Sequence, residues 1–277
     1  MPATMKFPPS TRAVITGAGS GLGKALSLLL AERGARLLLS DLNKESAEAT
    51  AREALRLGAR EAEATACDVT KLAEIEALAS RTMELWGGLD LLVNNAGVGV
   101  AGEVGETSID NWRHAIDVNL WGVIHGCHVF VPIFKRQRAG NILNVASIAG
   151  LIHAPHMAPY NVTKAGVVAL SETLRVELAA AHVGVTVLCP SFFETNILND
   201  TRGASEGYLR FAKTLMSRAS LSARDVAQAA LDAAEADKLH ALPMRDARWM
   251  WRVKRLAPSL FIKAAIQTRQ RVIDKNR

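Results

Sequence analysis

A phenol and an ammonium stand one helical turn apart in the stretch YNVTK, at Tyr160 and Lys164. Residues four apart share a helix face, so the two side chains can act on one another. Oxidising an alcohol to a ketone needs a base for the hydroxyl proton while hydride leaves the carbon. A free phenol, with a pKa near ~10, is protonated at neutral pH, and lowering that pKa by about three units takes ~4 kcal/mol of preferential interaction with the phenolate. A neighbouring ammonium is a source of that interaction. In the reverse direction the neutral phenol donates its proton to the nascent alkoxide. On an ordinary surface helix the same pair would be solvated and idle, so its company decides.

That company begins with TGAGSGLG at 16–23, between a short apolar strand and a helix. Glycines there reach positive φ and let a pyrophosphate approach free backbone N–H groups at the helix N-terminus. The spacing is T-G-x-x-x-G-x-G, and Gly17, Ser20, Gly21, Leu22 and Gly23 form the candidate phosphate site. A tight structural turn is the plain alternative. The second strand ends at Asp41, 18 residues past Gly23. A carboxylate there can accept both adenosine ribose hydroxyls. It would repel a 2′-phosphate by about 4 kcal/mol per charge pair at ~4 Å and an effective dielectric of about 20. NAD is therefore expected over NADP, with Lys44 the one counter-argument and helix capping the other use for Asp41.

TGAGSGLG, NNAG at 94–97, Ser147 and Tyr160-x-x-x-Lys164, in this order, resemble the short-chain dehydrogenase/reductase family from about residue 11 to 196. The resemblance implies a single-domain Rossmann-type fold, a nicotinamide cofactor, hydride transfer, and assembly as a homodimer or homotetramer. It assigns Tyr160 as acid/base, Lys164 as its electrostatic partner and a ligand of the nicotinamide ribose, and Ser147 as the group holding the substrate oxygen. Asn119 matches the family asparagine that positions a water leading to the lysine, a buried amide satisfying backbone groups being the alternative. Asn95, followed by Ala96 and Gly97, resembles the residue that braces the sheet near the adenosine ribose. Asp68 and Val69 match the adenine contacts, and Pro190 and Thr195 the carboxamide side. Ser191 departs from the family pattern, which has glycine after that proline. The glycine spacing separates the chain from the extended relatives that act as epimerases or dehydratases. The Tyr–Lys spacing separates it from the enoyl-reducing branch. A protein that keeps the fold to sense nucleotide, without turnover, is the reading from another class, and the intact Ser/Tyr/Lys set argues against it.

Positioning these groups requires alternating strands and helices. Apolar runs at 12–16, 35–41, 61–69, 89–97, 140–147 and 183–191 read as strands, and 21–34, 44–58, 71–87, 108–137 and 158–181 as helical stretches. The alternation predicts an α/β class, a doubly wound parallel sheet with helices on both faces. Strands such as LDLLV are apolar at consecutive positions, as strands covered on both faces are.

Composition agrees with one large globular domain: 277 residues, 49% hydrophobic and 22% charged. Cys67, Cys127 and Cys189 are widely spaced and read as buried thiols of a reducing compartment, with no disulfide framework and no metal site. The opening MPATMKFPPS is too short and polar for a signal peptide, and the apolar stretch around 120–134 falls short of the ~20 residues of a membrane span, so a cytoplasmic setting is expected. The net charge of +6 is uneven. Residues 245–277 carry ten Lys/Arg against two Asp, which leaves 1–244 slightly acidic and gives no reason to invoke nucleic acid. The chain thus divides into a dinucleotide-binding and catalytic domain, 1–244, and a basic amphipathic extension, 245–277. The extension either lies on an anionic membrane surface or packs on protein. Val98, Val100, Leu151, Ile152, Met157, Phe192, Phe193, Ile197, Leu198 and Tyr208 offer an apolar pocket, suited to a hydrophobic alcohol or ketone. His153 and His156 lie between Ser147 and Tyr160, within reach of substrate.

Overall fold

Consecutive apolar residues along a strand need cover on both faces, and only a sheet sandwiched by helices provides it. The computed structural model, which describes residues 7–193, 196–198 and 201–275, has that arrangement. The first half runs β1 (Arg12–Thr16), α1 (Gly21–Glu32), β2 (Arg36–Asp41), α2 (Lys44–Arg56), β3 (Glu61–Ala66), α3 (Leu72–Trp86) and β4 (Leu91–Asn94). Next, α4 (Ile109–Ile116) passes through a π-helical turn at Asp117–Trp121 into α5 (Gly122–Gln137). There follow β5 (Gly140–Val145), the short α6 (Ala149–Ile152), α7 (Ala158–Glu177) and β6 (Val183–Leu188). The chain closes with α8 (Glu206–Ser217), α9 (Ala223–Glu235), β7 (His240–Ala241), α10 (Arg245–Leu256) and α11 (Pro258–Lys275).

The strands form one parallel sheet in the order β3-β2-β1-β4-β5-β6-β7. Strand order reverses between β1 and β4, and ligands of such sheets bind beyond the strands' carboxyl ends at that crevice. Leu37–Leu39, Leu91–Val93, Ile142 and Leu143 are fully buried between the helix layers. On one face α1 packs between α2 and α9; on the other, α5 meets α3, and the π turn touches both α5 and α7. A buried polar chain ties the second layer to the sheet. Asn94 Nδ2 donates to Asn144 Oδ1 at 2.8 Å, and Asn144 Nδ2 donates to Ser171 Oγ on α7 at 3.0 Å.

The predicted strands are observed at every expected place, although most end sooner. The third stops at Ala66 and is an edge strand with none of its residues buried, so its sequence EAEATA alternates polar and small residues. The helix expected to 181 ends at Glu177, and a 3-10 turn covers Ala179–Ala181. Elements α8, α9 and β7 lie in 192–244, where the sequence pattern assigned none. The helical run Ile109–Gln137 is long and apolar enough, by length and composition, to cross a membrane, which the stretch at 120–134 alone did not indicate. Here its α5 part packs on β4 and β5 with Phe130 and Phe134 fully buried. All three cysteines are buried and free, as expected.

Candidate active site

The glycine turn leaves β1 and enters α1 with no side chain capping the helix N-terminus and no acid in its first turn. Its free N–H groups and dipole are therefore available to an anion. Close packing explains the glycines. A Cβ on Gly23 would lie 2.1 Å from the Gly17 carbonyl oxygen, and Gly17 itself has φ +64°. Asn95 braces this turn by donating from Nδ2 to the carbonyls of Thr16 and Gly17 at 2.9 and 3.0 Å. The Thr16 hydroxyl accepts in return from the N–H groups of Asn95 and Ala96. Ser20 is exposed at the mouth of the turn, while Leu22 is buried beneath it.

Asp41, at the end of β2, faces the same turn. Its Oδ2 accepts from Gly19 N–H at 2.9 Å and its Oδ1 from Asn43 N–H at 3.0 Å. Capping of α2 falls to Asn43, whose side chain accepts from Ser46 N–H, which removes the helix-cap reading of Asp41. Lys44 turns aside to pair with Glu48 at 3.6 Å. Farther along, the Asp68 carboxylate accepts from the N–H and hydroxyl of Thr70. Burial pushes its carboxyl up, but the Thr70 bonds and the Lys71 charge leave it below the ordinary value. The Val69 carbonyl accepts from His125 Nδ1 at 2.9 Å, and the Val69 side chain lies against Gly122.

The catalytic candidates meet at the carboxyl end of β5. Ser147, Tyr160 and Lys164 are all buried, and the Lys164 Nζ lies 5.7 Å from the Tyr160 ring centroid. Lys164 donates to the Val145 carbonyl at 2.9 Å. Burial pushes the lysine's pKa down to about 8, with the Cys189 thiolate form pulling the other way. Burial likewise pushes the Tyr160 phenol up to about 12, against a Ser147 hydrogen bond that lowers it. In the protein alone burial nevertheless wins. Tyr208 on α8 sits close enough for its charge to couple to Tyr160, and burial pushes this second phenol to about 12 as well.

Asn119, in the π turn, is fully buried and spends its amide on Val98, accepting from its N–H at 2.8 Å and donating to its carbonyl at 2.9 Å. That positions the loop after β4 over the lysine. A Cβ on Gly97 would stand 3.0 Å from Asn119 Oδ1 and 3.4 Å from Lys164 Nζ, so a glycine keeps the approach to the ammonium open. Pro190 is buried, its carbonyl accepting from Ile148 N–H, and Ser191 N–H points to Met244 Sδ at 3.4 Å. Thr195 lies outside the described residues.

The donor set fits a dinucleotide: an uncapped helix N-terminus, a glycine cradle, a carboxylate at the second strand end, and an ammonium beside an open glycine. Three roles escaped the sequence reading. Gly19 was a variable position of the motif, yet its N–H binds Asp41. Thr16 is the acceptor that joins the two loops. His125 fixes the Val69 carbonyl, and nothing in the sequence pattern around it signals this.

The short chain dehydrogenase family model matches residues 11–206, and the chain belongs to that family. It is 37% identical over 188 residues to the probable oxidoreductase EphD of Mycobacterium tuberculosis, a match that covers 68% of this chain and 32% of that protein. The match thus spans about a third of this curated relative's length. A short chain dehydrogenase/reductase from Burkholderia phymatum, solved in complex with NAD, superposes with a TM-score of 0.85 at 34% identity, covering 92% of this chain and 96% of that one. An alcohol dehydrogenase from Thermococcus sibiricus, complexed with 5-hydroxy-NADP, gives 0.73 at 26% identity over 84% and 95% of the two chains.

The position of Asp41 yields a quantitative expectation. Fluorescence titration should give NADH at least about tenfold tighter than NADPH, ~1.4 kcal/mol being the minimum expected from a carboxylate facing a 2′-phosphate. Asp41→Asn should narrow that ratio. Tighter NADPH binding by the wild type would show that Asp41 does not face the ribose.

Proposed function

We propose that the protein is an oxidoreductase that transfers hydride between NAD(H) and a hydrophobic secondary alcohol or ketone. The observation that carries this reading is the burial of Ser147, Tyr160 and Lys164 together at the carboxyl end of β5. A nicotinamide cofactor, when bound, supplies the hydride acceptor and a positive charge beside the phenol. In oxidation, Ser147 holds the substrate oxygen, and Tyr160, as phenolate, takes the hydroxyl proton as the carbon–hydrogen bond gives up its electron pair. In reduction, Tyr160 gives that proton back to the carbonyl oxygen. Lys164 keeps its charge at neutral pH and favours the phenolate. Asn119 acts as a positioning residue through Val98. On the cofactor side, Gly17, Ser20, Gly21, Leu22 and Gly23 take the pyrophosphate and Asp41 the adenosine ribose. Asp68 and Val69 flank the adenine, with Asn95, Ala96 and Gly97 opposite. Pro190 and Thr195 take the carboxamide.

The preference for NAD over NADP rests on Asp41 together with the engagement of Lys44 by Glu48. Substrate class rests on buried Val100, Leu151 and Phe193. A homodimer or homotetramer, in a cytoplasmic setting, completes the reading, with 1–244 as the catalytic domain and 245–277 as its extension. Tyr160→Phe should lower kcat by at least about 10²-fold, the ordinary contribution of a positioned acid/base group, with NADH affinity kept within about twofold. Retained turnover would overturn the assignment.

A membrane surface is the proposed second partner of the extension. The outer side of α10 leaves Trp249 67% and Leu256 87% exposed, and α11 exposes Leu260, Ile262 and Ile266. Exposed Arg245, Arg248, Arg252, Arg255 and Lys263 stand among them. Apolar groups ringed by cations match an anionic bilayer surface. Two copies meeting through this face would bring like charges together. Co-sedimentation with vesicles of phosphatidylglycerol and phosphatidylcholine in equal parts should be strong at low salt and weakened by Trp249→Glu with Leu256→Glu. Absence of binding at low salt would end this reading.

A further inference from the structure

The segment that joins Ser147 to Tyr160 cannot hold its shape by local forces. Its only regular piece, α6, is a single turn of four residues, too short to persist alone. It also contains two non-glycine residues in the left-handed region, His153 at φ 58° and His156 at φ 61°, a conformation that costs of order 1 kcal/mol or more for each. Both are held from outside. His156 Nδ1 pairs with Glu103 Oε1 at 2.9 Å, next to the bridge between Gly102 and Met157. His153 is held from the far end of the chain.

Lys254, on α10, donates from Nζ to the Leu151 carbonyl at 2.6 Å and to His153 Nδ1 at 2.7 Å. His153 Nε2 lies 3.2 Å from the Gly150 carbonyl, which can only accept, so that nitrogen carries the proton and Nδ1 is free to accept from the lysine. The last two carbonyls of α6 before Ile152, which have no partner within so short a helix, are thus taken by the lysine and the histidine together. The helix that carries Lys254 is itself fixed. Ala247 is fully buried, Trp251 packs on His240 of β7 with ring centroids 5.1 Å apart, and Met244, just before α10, accepts from Ser191 N–H. One segment, 244–254, therefore touches both the turn after β6 and the segment between the two catalytic groups.

We propose that α10 is a wall of the substrate site and that Lys254 is a positioning residue, which sets substrate affinity by clamping the Ser147–Tyr160 segment at Leu151 and His153. The clamp rests on the assignment of the catalytic site made above. It acts on the apolar side chains Leu151 and Ile152, and leaves Tyr160 and Lys164 to the rigid frame of α7 and β5. Its loss therefore affects substrate binding more than the chemical step or cofactor binding.

Lys254→Met keeps the aliphatic stem and removes the donors. Hydrogen–deuterium exchange should find the Ile152 and His153 amides, which donate to Ile148 and Ala149, exchanging at least about tenfold faster in this variant, with strand amides unchanged. With 4-phenyl-2-butanone and NADH as probe, KM should rise about fivefold or more while kcat and NADH affinity stay within about twofold. Lys254→Arg, which still donates, should restore most of both. Unchanged amide exchange, or loosened amides with unchanged KM, would overturn the proposal. So would a matched fall in kcat and NADH affinity, the mark of general damage. If the wild type fails to reduce this ketone, the proposed function is what suffers, and the exchange measurement alone decides the clamp.

Discussion

The site depends on one costly placement, the ammonium of Lys164 inside the protein. Burial holds its pKa at about 8, and its described hydrogen bond goes to the carbonyl of Val145 at the end of β5. Much of the surrounding architecture can be read as provision for that charge. The Asn94–Asn144–Ser171 chain fixes α7 to the sheet, Asn119 holds Val98 so that Gly97 lies over the lysine, and α6 crosses α7 so closely that a Cβ on Gly150 would meet the Lys164 carbonyl oxygen at 2.5 Å. The cost depends on pH with a definite sign. Between pH 8 and the ordinary lysine value near ~10.4, the unfolded chain binds the proton that the folded one has released, so this group favours folding progressively more across that window. Below it, the full penalty of a buried charge is carried by the rest of the fold.

That cost has a use only if a negative charge appears beside the lysine. Tyr160 does not provide one in the protein alone, because its own burial, which pushes the phenol up to about 12, outweighs the Ser147 hydrogen bond that lowers it. On the proposed function, the pair would be completed by the positive charge that a nicotinamide cofactor supplies when bound. The glycine cradle, the uncapped end of α1 and Asp41 lie along the crevice that would deliver it. On the proposed function, cofactor binding and acid/base competence would be two results of the same placement.

The frame of this site was legible in the sequence, and its outer shell was not. TGAGSGLG, Asp41 and the Tyr160–Lys164 spacing are local patterns whose physics operates within a few residues, and the alternation of apolar runs fixed the sheet around them. The pKa of Tyr160 depends on how deeply the ring is buried, which no spacing encodes. The π turn that carries Asn119 has no propensity signal of its own. Element β7 is two residues long, and α8 and α9 follow a stretch of weak periodicity. The contact between Lys254 and His153 joins residues 101 apart in the chain. The tail's basic composition suggested charge for a surface, whereas one of its lysines faces inward.

The protein has two tyrosines, Tyr160 and Tyr208, both pushed up to about 12 by burial. Phenolate absorbance can therefore be followed residue by residue. An ultraviolet titration from pH 7 to about 10, where free tyrosine is half ionised, should find almost no phenolate in the protein alone. With saturating NAD⁺, one phenol should ionise within that range, and this ionisation should vanish in Tyr160→Phe. A titration unchanged by NAD⁺, or one whose new ionisation survives in Tyr160→Phe, would contradict the account.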